Sequence, residues 1–350
     1  MSRVTRLGAG VDASGLLSQA AIAREYEALT TYAQLIGASR VDRAVAVMTS
    51  AVRDASNGRD FAAAVTARFG FEVHVLSGEQ EAQLTYRGAT DDGQHAPAGC
   101  QGGSVAAGNG RAPAYAEPDS SGREERLSNR AEARSSNVAD EQSSNRADVQ
   151  SSSRGERRAP TQVDQPSPRR LVAPTLFFDI GGGATEVVIG HGATPDFHVS
   201  TQAGVVRQAD RHIATDPPTP RELETVGDDV RMVLDAAVPV RWRTHPARAI
   251  GVAGTPTSLA AIAQRLDPYD PARVHGYRLS AGERDAIFAQ LATMPLSQRQ
   301  QVPGLHPDRA ITILPGIVIL TELMRLFALD EVEVSEHDIL RGAALHYAEG

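Results

Sequence analysis

A strand that ends in an acid and runs straight into three glycines lets a backbone reach an anion. Residues Asp179-Ile180-Gly181-Gly182-Gly183-Ala184-Thr185-Glu186 have that form. Without Cβ atoms the main chain can approach closely and take positive φ, so its N–H groups can converge on phosphoryl oxygens. Gly181, Gly182, Gly183, Ala184 and Thr185 are therefore candidate phosphate ligands. Asp179 and Glu186 flank the turn on its two arms, where hard carboxylate oxygens suit Mg²⁺ or another divalent cation, bound directly or through water. An ordinary glycine hairpin with a solvent-facing acid at each end would use the same residues. A second turn, Gly251-Val252-Ala253-Gly254-Thr255, joins an apolar run to a helical one. Gly254 and Thr255 would sit at a helix N-terminus, where unpaired amides and the positive end of the helix dipole favour an anion or a nucleotide. Simple strand-to-helix packing is the alternative there.

Both turns need a sheet behind them. LFFDIGGG reads as an apolar strand running into its turn, TEVVIG as the second arm of a hairpin, and Phe197 to Thr201 as a third strand. Periodicity then predicts a helix over Pro220 to Ala236, a strand over Ala249 to Ala253 and a helix over Thr255 to Arg265. Helices at Ala281 to Ala292 and Arg309 to Phe327, a strand at Val332 to Val334 and a last helix from His337 complete this half. In the first half, RVTRLGAGVD predicts a strand and turn, Ser18 to Leu35 a helix and Arg43 to Met48 a buried strand. Phe61 to Phe69 follows as a helix, Glu72 to Leu76 as a strand and Gly78 to about Tyr86 as a helix. This β-α-β-α-β-α order is that of a layered α/β domain.

Between the halves, from Asp91 to Arg170, the composition turns to Gly, Ser, Asn, Arg, Glu and Pro. Such a segment has too little to bury to offset its ordering entropy, and a disordered linker is expected. Within it SNRAEARSS (Ser128 to Ser136) recurs as SNRADVQSS (Ser144 to Ser152), too polar to form a repeat fold. A length of 350 residues favours two domains, and 41% hydrophobic residues is enough to bury a core in each. The formal net charge of -8 argues against broad non-specific binding to nucleic acid, so an anionic substrate has to be met locally. The one cysteine, Cys100, lies in a Gly-rich polar stretch and has no partner in the chain, which fits a reducing cytoplasm. No apolar signal segment follows Met1, and Ile311 to Leu329 is interrupted by Pro315, Glu322 and Arg325, so no membrane span is expected.

Seven segments carry a resemblance. VMTSAVRDASN (Val47 to Asn57), VLSGEQEAQLTY (Val75 to Tyr86), DIGGGATE, AGVVRQADRHIATDPPT, GVAGTPTSLAAI, HPDRAITILPGIVIL and VSEHDILRGAAL resemble, in order, segments of the Ppx/GppA family of exopolyphosphatases and guanosine pentaphosphate phosphohydrolases. The likeness spans the chain apart from Asp91 to Arg170. It implies an α/β fold of two actin-like lobes, of the ribonuclease H-like ASKHA superfamily, closing on an interdomain cleft. The first lobe would be residues 1–90 and the second 171–350, with 91–170 inserted between them and the last helices able to pack back on the first lobe. The implied reaction is Mg²⁺-dependent hydrolysis of terminal phosphoanhydride bonds in polyphosphate, in guanosine pentaphosphate or in both. On residue type alone Glu81 is a helix-surface glutamate. The resemblance makes it the general base that orients and deprotonates the attacking water, with Glu79 as its nearest competitor. Arg53, in TSAVRDA, carries over as a guanidinium for the substrate's phosphates, with a structural salt bridge as the alternative. Arg207, in GVVRQAD, is a weaker candidate for which helix packing is an equal reading.

Members of that family open with a strand and a D-x-G-[ST]-N-[ST] turn, the first phosphate loop, followed by a second strand. No such motif occurs here, and RLGAGVD, just after Met1, resembles the segment that follows those strands. A first lobe lacking its first two strands is expected on this reading. The rival to a phosphatase is then a catalytically weak or inactive sensor that binds a nucleotide or polyphosphate. A sugar-kinase-like phosphotransferase is a second rival, but its catalytic Asp and sugar pocket are not evident. The expected partner is polyphosphate or a guanosine polyphosphate, with no nucleic acid and no membrane, and a homodimer is the assembly to test.

Overall fold

The computed structural model describes residues 3–39, 41, 43–90, 174–191 and 195–348. The linker expected over 91–170, and Cys100 with it, lies outside the described residues. In the first part a short helix α1 (Val11–Ser14) precedes α2 (Gln19–Ala38), which starts where the Ser18 hydroxyl accepts from the Ala21 amide at 3.2 Å. Strand β1 (Val45–Met48), helices α3 (Ser50–Asp54) and α4 (Gly58–Phe69), strand β2 (Glu72–Val75) and helix α5 (Gly78–Thr90) follow. The two strands pair in parallel, from Val45 opposite Glu72 to Met48 opposite Val75, and form a two-stranded sheet. Parallel neighbours need a crossover, which α3 and α4 supply. Phe61 and Val65, one turn apart on α4, bury the crossover against Leu17, Leu29, Met48 and Val52.

RVTRLGAGVD does not form the expected strand. Residues 7–10 make a turn that leads into α1, and Gly10 takes φ 76°, a conformation open to glycine. The glycines at 8 and 10 override the apolar and polar alternation there.

After the undescribed segment the chain runs β3 (Thr175–Ile180), β4 (Thr185–Gly190), β5 (Pro195–Thr201), α6 (Val205–His212), α7 (Pro220–Ala237), β6 (Arg248–Val252) and α8 (Gly254–Ala263). It continues as α9 (Pro271–Val274), β7 (Arg278–Ser280), α10 (Ala281–Ala292), α11 (Leu296–Arg299), α12 (Ile313–Leu326), β8 (Glu331–Val334) and α13 (Ile339–Ala348). The strands form a six-stranded sheet in the order β5-β4-β3-β6-β8-β7. Strand β3 is antiparallel to β4, with Asp179 directly opposite Glu186, and parallel to β6.

The two faces of this sheet divide the labour. Leu176, Phe178 and Ile180 of β3 join Val187 and Ile189 of β4 in a large core with α7, α8 and α12. Phe177, Val188, Ile250 and Val252 point the other way and pack on Ala82 and Tyr86 of α5. Side chains alternate along a strand, so Asp179 and Glu186 share the face of Phe177 and Val188, the face that α5 covers. Helix α13 in turn packs on α5. A Cβ on Gly342 would lie 1.8 Å from the Leu84 carbonyl oxygen, and one on Gly88 2.2 Å from that of Asp338, so the helices meet backbone to backbone. The parts before and after residues 91–173 pack as one unit. Among the described residues no helix is long and apolar enough to cross a membrane.

The periodic segments fall where expected to within a few residues, with one break that affects the site. The helix expected over Arg309 to Phe327 starts only at Ile313, leaving Arg309 at the end of a single 3-10 turn. The short α3, α6 and β7 have no signature in the sequence reading.

Candidate active site

The turn between β3 and β4 is held from behind by α6. Val205 and Val206 donate their amides to the carbonyls of Gly181 and Gly182 at 3.0 and 2.9 Å, and Arg207 Nε donates to the Gly183 carbonyl at 2.9 Å. In a planar trans peptide the N–H points opposite to the C=O. Three carbonyls drawn toward α6 therefore aim the amides of Gly182, Gly183 and Ala184 away from it, at the cavity these residues line. Close backing requires Gly204: a Cβ there would lie 2.2 Å from the Gly183 carbonyl carbon and 2.6 Å from the Ala184 nitrogen.

That cavity, about 370 Å³, is lined from one side by Asp179, Gly181, Gly182, Gly183, Ala184 and Glu186 and from the other by Thr49, Ser50 and Glu81. Its size suits a small ligand. A larger cleft of about 1440 Å³, floored by Leu84, Tyr86, Phe177 and Ile250, contains none of these three carboxylates. The three are buried, with Asp179 at 9%, Glu81 at 5% and Glu186 at 2% exposure. Glu81 lies beside Glu186 closely enough for their charges to interact, and Ser200 Oγ donates to Glu186 Oε1 at 2.9 Å. Arg53 Nη1 lies 2.9 Å from Glu81 and also donates to the Leu76 carbonyl at 3.0 Å.

Burial raises all three acids, and neighbouring carboxylates add to it at Asp179 and Glu186. Asp179 is pushed up to about 7 by burial first and by the charges of Asp338 and Glu81 next. Burial followed by Glu81 and Asp179 holds Glu186 well above the usual carboxylate range. Glu81 is raised by burial against the opposing pull of Arg53. A folded-state pKa above the unfolded one means that the native state holds the extra proton. Stability from this source is then present at low pH and lost as pH rises through the folded value. In a chelator the melting temperature should therefore fall from pH 5 to pH 7, inside the window between the ordinary Asp value of 3.8 and about 7, and added Mg²⁺ should restore more at pH 7 than at pH 5. A melting temperature that is flat or rises across that window without metal would contradict the arrangement.

The second turn completes the wall. Ala253, a non-glycine residue, is held at φ 68° and ψ -165°, a region that in practice belongs to glycine and costs on the order of 1–3 kcal/mol. It delivers the chain into the N-terminus of α8, and Ala253, Gly254 and Thr255 all line the cavity. The Thr255 side chain is turned toward α12, since a Cβ on Gly316 would be 2.4 Å from its hydroxyl. Its contribution to a ligand is therefore the backbone amide. Arg309, released by the late start of α12, lies over Gly254 and donates through Nη1 to the Gly254 carbonyl at 3.1 Å and to Thr257 and Ser258 hydroxyls at 3.3 Å each. These acceptors are neutral. Burial pulls the pKa of Arg309 down, opposed by the nearby Tyr269 and the Glu336 carboxylate. Arg309 is a cation in the cavity wall whose side-chain hydrogen bonds among the described residues all go to neutral acceptors.

The structure thus brings Glu81, Asp179, Glu186, Gly181 to Ala184, Gly254 and Thr255 to one cavity. Two candidates differ. Thr185 is fully buried and its hydroxyl donates to the Ala203 carbonyl at 2.5 Å, bracing the hairpin from outside the cavity lining. Arg53 is engaged by Glu81 and does not line the cavity. Glu79 lines the larger cleft and not this cavity, which leaves Glu81 as the base candidate of the pair. Sequence reasoning missed Arg309, Thr49 and Ser50, although TSAVRDA and HPDRAITILPG contain them.

Hard carboxylate oxygens that accumulate negative charge in a buried wall fit a divalent cation. Among the described residues no group of three or more His, Cys, Asp or Glu is arranged to hold a metal ion alone. Asp179 and Glu186 would hold it together with water and ligand oxygens, which is how Mg²⁺ is commonly bound.

The model of the Ppx/GppA phosphatase family matches residues 1–102 and 171–345. Exopolyphosphatase 2 of Mycobacterium tuberculosis is 32% identical over 362 aligned positions, covering 99% of this chain and 88% of that protein. A crystal structure of the Aquifex aeolicus Ppx/GppA family member superposes with a TM-score of 0.62 at 23% identity over 99% of this chain and 87% of that one. An exopolyphosphatase of Cytophaga hutchinsonii gives 0.68 at 20% identity over 98% and 87%. These likenesses identify the fold as mixed α/β with the two-lobed actin-like architecture.

Proposed function

Because this chain belongs to the Ppx/GppA phosphatase family, we propose that its cavity hydrolyses the terminal phosphoanhydride bond of inorganic polyphosphate, or of guanosine pentaphosphate, with Mg²⁺. The family makes it an enzyme acting on phosphoanhydride bonds. The observation that carries the substrate reading is a buried carboxylate, Glu81, facing a turn whose amides are pre-aimed at an anion.

The terminal phosphoryl oxygens would sit on the amides of Gly182, Gly183 and Ala184, and the next phosphate would meet Arg309 and the amides at the start of α8. Fixed donors of this kind stabilise charge that grows in the transition state and need no reorganisation when it does. Glu81, held by Arg53, accepts a proton from water as the water oxygen bonds to phosphorus. The bridging P–O bond breaks, and its electron pair leaves on the shortened polyphosphate. When bound, the divalent cation held by Asp179 and Glu186 would neutralise phosphoryl oxygens and so lower the barrier.

Phosphate release from polyphosphate and from guanosine pentaphosphate, set against transfer from ATP to a sugar, tests the reaction. Transfer without release would overturn it, and binding of either substrate without release would favour the sensor. Asp179→Asn removes one hard anionic ligand and should raise the Mg²⁺ concentration for half-maximal activity. An unchanged magnesium titration would give Asp179 another role.

A further inference from the structure

We propose that the face of α6 formed by Arg207, Asp210 and Arg211 is a latch that sets the distance between the phosphate-binding turn and Glu81, with Arg207 as a positioning residue. The proposal rests on the reaction proposed above and concerns residues on the far side of the turn from the substrate. Positions 207, 210 and 211 lie on one helical face.

Arg207 is the centre of the latch. Its side chain is 8% exposed and donates to four acceptors: Nε to the Gly183 carbonyl at 2.9 Å, Nη2 to Asp54 at 3.1 Å, and Nη1 to Asp12 and to Gln202 Oε1, the latter at 3.4 Å. Arg211 pairs with the same Asp12 at 2.5 Å. Asp210 accepts from the Gly10 amide at 3.1 Å and pairs with Arg6 at 3.2 Å. The helix therefore grips the 6–12 segment, the end of α3 and the phosphate turn at once.

From Asp54 the connection runs on to the base. Arg53 Nε is 3.7 Å from Asp54, and Arg53 Nη1 is 2.9 Å from Glu81. One chain of charges, Glu81 to Arg53 to Asp54 to Arg207, thus ends on the carbonyl whose peptide aims the Ala184 amide. A guanidinium is planar and rigid, so it fixes its acceptors relative to one another in a way that a lysine ammonium on a flexible stem does not. Burial acts against the charge of Arg207, as does the neighbouring Arg211. An ion network in such a place is weak evidence for stability and fits a role in geometry better.

The test compares Arg207→Gln and Arg207→Lys with Arg221→Gln, an exposed control at the start of α7, in steady-state phosphate release and in hydrogen exchange of peptides covering 6–12 and 181–184. A misplacement of the order of 1 Å at reacting groups costs about 10²-fold, so the Gln variant should lose about that in kcat with KM changed by less than about threefold. The Lys variant should recover part of the loss, since an ammonium reaches one carboxylate but cannot also hold the Gly183 carbonyl. Exchange should accelerate in both peptides together, and the control should match the wild type. Normal kcat in Arg207→Gln, a rise in KM at constant kcat, or unchanged exchange in either peptide would overturn the latch. If the Gln variant does not fold, the Lys variant carries the same comparison. If the wild-type chain releases no phosphate, the proposed reaction fails, and the exchange measurement still decides the latch.

Discussion

Replacing Glu81 with Gln should lower phosphate release by about 10² to 10⁴, the usual contribution of a general base, while polyphosphate binding stays nearly intact. In barrier terms this is about 3 to 5 kcal/mol. The amide keeps the shape of the side chain, and its carbonyl can still accept from Arg53, whose Nη1 lies 2.9 Å from the carboxylate. What it loses is the ability to take a proton from water. Binding should survive because the groups assigned to the anion, the 182–184 amides and Arg309, are untouched. A direct binding titration beside initial rates separates the two effects. Near-normal turnover in Glu81→Gln would sink the assignment, and would return attention to the acids of the other wall.

The second large effect is expected from one methyl group. Gly204→Ala places a Cβ 2.2 Å from the Gly183 carbonyl carbon, 2.4 Å from the Gly182 oxygen and 2.6 Å from the Ala184 nitrogen. All three are backbone atoms of the phosphate turn, so no side chain can rotate to relieve the contact. Gly204 has φ -96°, which alanine tolerates, and the cost is therefore collision alone. The turn must move forward by an ångström or so, out of line with the carboxylates. Loss of one preorganised donor costs about 10² to 10³ in rate, and here three amides shift together. The expected result is a loss of at least about 10² in kcat in a protein that still shows a cooperative melt. Wild-type kcat would mean that the 182–184 amides do not hold the reacting phosphoryl group.

Much of the architecture is legible in the residue pattern because burial dictates it. LFFDI and TEVVIG are apolar on both faces since each side of β3 and β4 is covered, and the glycines between them leave little but a tight turn. The two acids of that hairpin were visible for the same reason: an acid at the end of an apolar strand has to be explained. Glu81 was not visible in this way. It lies on a helix whose other early residues are polar, and only its packing against Asp179 and Glu186, far away in sequence, makes it different from Glu79. Arg309 was hidden by an apolar run that reads as one helix from Arg309 onward, whereas the turn at residues 310–312 frees it. The strain at Ala253 has no sequence signature, because alanine there gives no hint of a conformation that glycine would advertise. Thr185 shows an ambiguity of the opposite kind, since a hydroxyl beside a glycine turn suits a phosphate as well as it suits the Ala203 carbonyl to which it donates.

The crossing of α5 and α13 at Gly88 and Gly342 brings the two backbones together, and Leu84 of α5 packs with Ile339, Ala343 and Tyr347 of α13 beside it. With α13 on one side and Phe177 and Val188 of the sheet on the other, the tilt of α5 is set by how closely the backbones meet at Gly88. Glu81 lies seven residues along that helix, about 10 Å at 1.5 Å per residue. Each 10° of swing would carry its carboxylate about 2 Å along an arc, more than separates a productive from an idle base. A side chain added at Gly88 or Gly342 would meet backbone and tilt α5, so these two glycines bear on where the base sits from about 10 Å away.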